Sequence, residues 1–146
     1  MTQLSSSTAR RLLVILWFSF FFLNLLAVLY LYLADWIGAE NFRAGLSQLN
    51  SIYVTYLGVI AAFYFTAPAN AASSRPRTGI TFTLALLVSV IWNSVILIFI
   101  MRAFFLWGPI EDSLDQIGYF GPLLSWLVAP AIGFYFANSV REQRKE

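Results

Sequence analysis

Four long runs of apolar residues divide this chain of 146 residues. A helix needs about 20 residues to cross the hydrocarbon core of a bilayer, and backbone groups in lipid must bond within their own segment. The runs show no alternation of polar and apolar residues, so each is predicted to be a helix rather than a strand. The predicted spans are residues 12–34, 51–68, 80–101 and 119–137. We expect one all-α transmembrane domain over 1–146, built as two tandem αα-hairpins in a four-helix bundle.

Two shorter segments, residues 38–49 and 109–117, have apolar residues at spacings of 4 and 3 on an otherwise polar background. These apolar residues are Phe42, Leu46 and Leu49 in the first segment, and Ile110, Leu114 and Ile117 in the second. Such a pattern is typical of a helix that lies in the plane of the membrane interface. Trp36 and Trp107 fit the interfacial belt of aromatic residues. We therefore expect two short amphipathic helices on the outer surface of the membrane.

The charged residues are distributed unequally between the two sides of the predicted bundle. One side carries seven basic residues and only two acids, Glu142 and Glu146, for a net charge of +5. The seven are Arg10, Arg11, Arg75, Arg77, Arg141, Arg144 and Lys145. The other side carries two basic residues and five acids, for a net charge of −3. Because basic loops stay in the cytoplasm, we expect a multi-pass protein of the cell (inner or plasma) membrane with both termini cytoplasmic. The seven basic residues are candidates for contact with lipid headgroups or a cytoplasmic partner.

The composition agrees with a lipid environment and excludes several kinds of site. Apolar residues make up 60% and charged residues 11% of the chain, against about 25% charged residues in soluble domains. The chain has no cysteine and no histidine, which excludes thiolate nucleophiles, disulfides and metal or haem sites that need these ligands. The basic residues do not cluster on a soluble face bearing aromatic residues, so nucleic acid is not an expected partner.

The two halves of the chain show a weak internal similarity. The segment AAFYF at 61–65 matches IGFYF at 132–136, and LSQLN at 46–50 matches LDQIG at 114–118. The similarity predicts a parallel internal repeat, in which an axis along the membrane normal relates the two hairpins.

Small residues recur on one face of the second and fourth runs. Gly58 and Ala62 are four residues apart, as are Ala129 and Gly133. Small residues at this spacing allow the backbones of membrane helices to approach closely. We interpret both faces as packing surfaces within the chain. The alternative is that they line a polar path or a contact between copies.

Asn24 and Asn93 lie near the middle of the first and third runs, where an amide needs a hydrogen-bonding partner. With Ser89 and Thr55 they are candidates for lining the bundle or a pore. We favour hydrogen bonds that hold the bundle together, and the alternative is a ring of amides in an oligomeric pore. Pro130 cannot donate to the carbonyl of Trp126, so it should kink the fourth helix and is a candidate hinge.

We find no pattern of a catalytic site, a nucleotide-binding loop or a metal centre in the sequence, and no cofactor is expected. The sequence thus favours a non-enzymatic membrane protein whose partners are lipids and either further copies of itself or another membrane subunit. One version is a pore-forming or membrane-disrupting effector. The alternative is an accessory or immunity-type subunit, while a transporter of a neutral solute and a lipid-acting enzyme are less favoured.

Overall fold

The computed structural model describes residues 6–66, 80–105 and 109–143, and within these ranges it contains four α-helices and no strand. The helices are α1 (Ser6–Leu33), α2 (Ala39–Thr66), α3 (Ile80–Phe104) and α4 (Ile110–Gln143). Within the part of the chain that the structure describes, three segments are long and apolar enough to cross a membrane, namely Thr8–Leu33, Ile80–Arg102 and Glu111–Tyr135. For the described residues, the prediction of an all-helical chain with segments long and apolar enough to cross a membrane is confirmed. The predicted span 51–68 lies in α2 as far as Thr66, and α2 is not among the three segments.

Both amphipathic segments are the first turns of longer helices, so the prediction of separate helices along the interface is wrong. Segment 38–49 continues into the rest of α2 without a break, and segment 109–117 continues into α4. No proline interrupts either junction, and Pro109 stands immediately before α4, where its fixed φ favours helix initiation. Leu49, Leu114 and Ile117 of these segments are buried and face the bundle, while Phe42 and Leu46 are half-buried.

A tight turn joins α1 to α2. Asp35 has a φ of 56°, which is the left-handed conformation that commonly ends a helix. The amide of Trp36 then donates to the carbonyl of Leu31 at 2.9 Å, so a carbonyl left over at the end of α1 gains a partner. The turn reverses the chain and places α2 antiparallel along α1.

Around the bundle, α1 packs against α2 and α3, and α4 packs against the same two helices. The parallel helices α2 and α4 are therefore neighbours, and hydrogen-bonded residues across their contact are 69 or 70 positions apart in the chain. A twofold axis along the bundle would place equivalent helices on opposite corners. In the structure the equivalent helices are neighbours instead, since α1 contacts α3 and α2 contacts α4. The two hairpins lie side by side at the same height, so the predicted twofold axis along the membrane normal does not fit.

Glycines bring α2 and α4 together at the end of the bundle near their first turns. A Cβ atom at Gly121 would lie 2.9 Å from Ile52 Cγ2, and one at Gly118 would lie 2.9 Å from Gln48 Nε2. Gly45 is also close to α1, since a Cβ atom there would lie 3.1 Å from Val28 Cγ1. Helices in lipid associate through such close packing, because lipid is as apolar as the side chains themselves.

Candidate functional site

Six buried side chains at the centre of the bundle form what we call the central cluster. Its members are Trp17 and Asn24 on α1, Tyr53 on α2, and Ser89, Trp92 and Asn93 on α3. Each is at most 1% exposed. The spacing of seven residues on α1, and of three and four on α3, places the members on the inward faces of their helices.

Hydrogen bonds join the two predicted asparagines through a tyrosine. Asn24 Nδ2 donates to the hydroxyl of Tyr53 at 2.9 Å, and that hydroxyl donates to Asn93 Oδ1 at 2.9 Å. Asn93 Nδ2 donates in turn to the backbone carbonyl of Ser89 at 2.7 Å. One phenol thus connects three helices. Asn24 Oδ1 is buried and accepts no hydrogen bond from the residues described.

Two indoles extend the central cluster to the fourth helix. Trp17 Nε1 donates to Ser89 Oγ at 3.1 Å, and Trp92 Nε1 donates to the carbonyl of Gly121 on α4 at 3.3 Å. The two indole rings lie 5.0 Å apart between centroids, and Tyr53 meets Trp92 edge to face at 5.2 Å. Buried indole N–H groups need acceptors, and here each one bridges two helices. The central cluster therefore ties all four helices together and fills the middle of the bundle with aromatic rings.

The chemistry available in the central cluster is that of amides, hydroxyls and indoles. None of its six side chains is a carboxylate or an amine, and within the described residues no group of acids could hold a metal ion. The cluster can hold helices in register, since both indoles, both amides and the Tyr53 hydroxyl donate to partners on the chain. Nothing in its geometry resembles a nucleophile activated by a base.

Of the four polar candidates from the sequence, the structure brings Asn24, Asn93 and Ser89 together and places Thr55 on the exposed surface of α2. The sequence analysis missed Trp17, Tyr53 and Trp92. The sequence could have indicated these residues, since each carries an N–H or O–H group inside an apolar run. Such a group needs a hydrogen-bond acceptor when it is buried.

The structure shows little packing at the four small residues that the sequence analysis singled out. Gly58, Ala62 and Ala129 are exposed, and Gly133 is half-buried. A Cβ atom added at Gly58 or Gly133 would meet no atom within 4 Å. The close approach of α2 and α4 uses other glycines, which leaves these two faces directed away from the bundle.

The candidate hinge Pro130 is exposed and lies inside α4, which stays helical through both Pro122 and Pro130. It lines an apolar groove of about 410 Å³ between α3 and α4. Leu84 and Val88 form one wall of this groove, and Trp126 forms part of the other.

Among the basic candidates, Arg10 is buried and Arg11 is exposed, although the two are adjacent on α1. Arg141 belongs to α4, but its side chain lies outside the described residues, as do Arg75, Arg77, Arg144 and Lys145 entirely.

No model of a known family matches this chain, and neither a curated protein nor a solved structure matches it. Function is therefore inferred from the residues of the chain itself. Even a shared fold would not define a function, because unrelated functions occur on the same fold.

Proposed function

We propose that this protein is a non-enzymatic integral membrane protein that acts as a homo-oligomer and assembles through the outward surface of α2. We call this surface the α2 outer face and define it by Ser51, Thr55 and Gly58, all of which are exposed. The observation that carries the proposal is the open space around Gly58, where an added Cβ would meet nothing within 4 Å.

A fourth membrane crossing by α2 is part of the proposal. The ring of Phe42 on α2 stacks on Tyr32 near the end of α1 at 4.5 Å, and Tyr53 bonds to Asn24 near its middle. Tyr56 packs on Trp17 a turn further on. Since α1 is apolar enough to cross a membrane and α2 lies along it at the same depth, we infer that α2 crosses too. With four crossings and the charge distribution of the sequence, both termini face the cytoplasm.

The α2 outer face is poorly suited to lipid. Two hydroxyls and a glycine occupy positions where a lipid-facing helix normally presents large apolar side chains. In membranes, small residues and hydroxyls of this kind favour contact with another helix, through close backbone approach and hydrogen bonds. A second copy is the simplest occupant, because one face can pair with itself about a twofold axis.

If such an assembly forms a pore, the structure of the bundle determines where the path for ions would run. The central cluster occupies the interior of each bundle, so a path for ions would run between copies rather than through one of them. Among the polar candidates, Thr55 would then face the path, whereas Asn24 and Asn93 would serve only to hold each bundle together.

The substitution Gly58→Leu tests the assembly. We expect the wild-type protein to be oligomeric in lipid nanodiscs, and the variant to associate at least about tenfold more weakly, which corresponds to about 1.4 kcal/mol. Gly133→Leu is the matched control, because its site on α4 is equally free of neighbours within the chain. Light scattering of the purified complexes over a range of protein concentrations measures the association.

Three results would contradict the proposal. They are a wild-type monomer at every concentration, equal weakening by both substitutions, and no weakening by Gly58→Leu. A stoichiometric complex with a different protein in native membranes, together with a wild-type monomer, would instead support the accessory-subunit alternative. For the pore version, flux across proteoliposomes should fall with Gly58→Leu and be retained with Gly133→Leu.

A further inference from the structure

Arg10 is a buried cation near the beginning of α1. Its side chain is 6% exposed, and its neighbours on the inward face of the helix, Ala9 and Leu13, are at most 1% exposed. The Nε atom is buried and has no hydrogen-bonding partner. Tyr135 of α4 lies within electrostatic range of the Arg10 guanidinium. Burying a guanidinium is costly unless its charge is balanced and its donors are satisfied.

The acids that the structure describes cannot balance this charge. All of them belong to the opposite end of the bundle, in the α1–α2 turn or in the first turns of α2 and α4. They are Asp35, Glu40, Glu111, Asp112 and Asp115. The only other acids of the chain are Glu142, whose side chain lies outside the described residues, and Glu146.

The helix N-termini at the two ends of the bundle differ in the acids beside them. Helices α1 and α3 both begin at this end of the bundle, and neither has an acid in its first turn. Helices α2 and α4 begin at the other end, where Glu40, and Glu111 with Asp112, occupy the first turns. The N-terminus of a helix carries a partial positive charge and attracts anions. At the end that holds Arg10, the N-termini of α1 and α3 lie beside the C-termini of α2 and α4, so the helix dipoles largely cancel. The buried guanidinium is therefore the charge that a ligand at this end would have to balance.

We propose that Arg10 forms a specific site for the phosphate of an anionic lipid headgroup in the cytoplasmic leaflet. A guanidinium offers paired N–H donors that match phosphate oxygens. Arg10 lies three residues inside the apolar segment Thr8–Leu33, so its charged group reaches the depth of the headgroups rather than bulk water. Arg11 points away from the bundle and contributes only general attraction to an anionic surface. The site requires the chain to be embedded in a membrane, but not assembly through the α2 outer face.

The test compares ligands and variants by thermal unfolding of the purified full chain in a neutral detergent. The added ligands are phosphatidic acid, phosphatidylcholine and inorganic phosphate, and the variants are Arg10→Gln, Arg10→Lys and Arg11→Gln. We expect phosphatidic acid alone to raise the melting temperature of the wild-type protein in a saturable manner. Arg11→Gln should keep this response, and Arg10→Lys should weaken the apparent affinity about tenfold, because it keeps the charge and loses the paired donors.

Arg10→Lys keeps the test decisive if Arg10→Gln does not fold. Equal stabilisation by phosphatidylcholine, or an equal loss of the response in Arg11→Gln, would overturn the site. The same saturating shift with inorganic phosphate would overturn the assignment to a lipid and make the ligand a free anion. A further variant, Glu142→Gln, tests an internal counter-ion. If it destabilises the chain as much as Arg10→Gln does, and phosphatidic acid has no effect on the wild type, an ion pair within the chain replaces the proposal.

Discussion

Tyr53 carries a single hydroxyl on which two buried amides depend. That hydroxyl accepts from Asn24 and donates to Asn93, and all three side chains are fully buried. Because the bundle buries all three side chains, removing the hydroxyl would leave an amide donor and an amide acceptor without partners. The cost of such unpaired groups generally exceeds the net gain from forming the bonds.

The substitution Tyr53→Phe should therefore destabilise the bundle by about 1 to 2 kcal/mol, since it removes two hydrogen bonds and each such bond between membrane helices contributes about 0.6 kcal/mol on average. Tyr56→Phe is the matched control, since its hydroxyl makes one contact of 3.4 Å, to the carbonyl of Ser125, and is only partly buried. Reversible unfolding by added anionic detergent in mixed micelles measures both. Equal losses for the two variants, or no loss for Tyr53→Phe, would contradict the role given to Tyr53.

At the scale of single residues, the sequence indicated where polar groups lie but not which groups they meet. An amide in the middle of an apolar run must find a partner, and this alone identified Asn24 and Asn93. Their shared partner could not be identified, because the chain has seven tyrosines and phenols are equally common at membrane interfaces. The rotation of α2 about its axis decides that Tyr53 points inward, and that rotation depends on packing against two other helices.

At the scale of helices, the contact between α2 and α4 depends on glycines at its narrowest point. Gly121 faces Ile52, which is itself buried and β-branched. A β-branched side chain in a helix has one strongly preferred rotamer and gives way poorly. An added methyl group at position 121 must therefore move one helix away from the other.

We expect Gly121→Ala to destabilise the bundle by about 1 to 3 kcal/mol relative to Gly133→Ala, as overpacking generally does. Both substitutions gain the same helix propensity in the same helix, up to about 1 kcal/mol, so their difference isolates the packing. The detergent unfolding assay described for Tyr53 applies here as well. If Gly121→Ala is as stable as Gly133→Ala, then α2 and α4 do not approach as closely as the structure indicates.

Sequence spacing alone predicted the wrong small residues at this contact. Gly58 and Gly133 belong to regular series of small residues, while Gly118 and Gly121 sit beside tyrosine, phenylalanine and proline. Both kinds of position are compatible with close packing, and only the orientation of each helix distinguishes them.

Helix orientation also explains why the two amphipathic segments were assigned to the membrane interface. The periodicity correctly indicated one apolar face. The burial of Leu49 and Ile117 shows that this face is directed towards the bundle rather than towards the interface.

At the scale of the whole molecule, the two ends of the bundle differ in charge, and this difference is the basis for the predicted orientation. Acids near the first turns of α2 and α4 contrast with the basic residues of α1 at the opposite end. Length and apolarity establish three segments able to cross a membrane. They leave α2 undecided, because Ala39–Thr66 does not contain any of these three segments. The number of crossings must therefore be measured directly.

Since the chain has no cysteine, single cysteines can report which side of the membrane each connection occupies. Gly38→Cys and Pro109→Cys lie at exposed positions in the α1–α2 and α3–α4 connections, and Gly38 has free space for the new side chain. We expect a membrane-impermeant maleimide to label both in intact cells. Gln3→Cys and Ser74→Cys, before α1 and between α2 and α3, should react only after the membrane is permeabilised. If α2 did not cross, the chain between α2 and α3 would stay outside with Gly38, and Ser74→Cys would be labelled in intact cells. That result would remove the fourth crossing, and the placement of both termini in the cytoplasm would no longer follow from the number of spans.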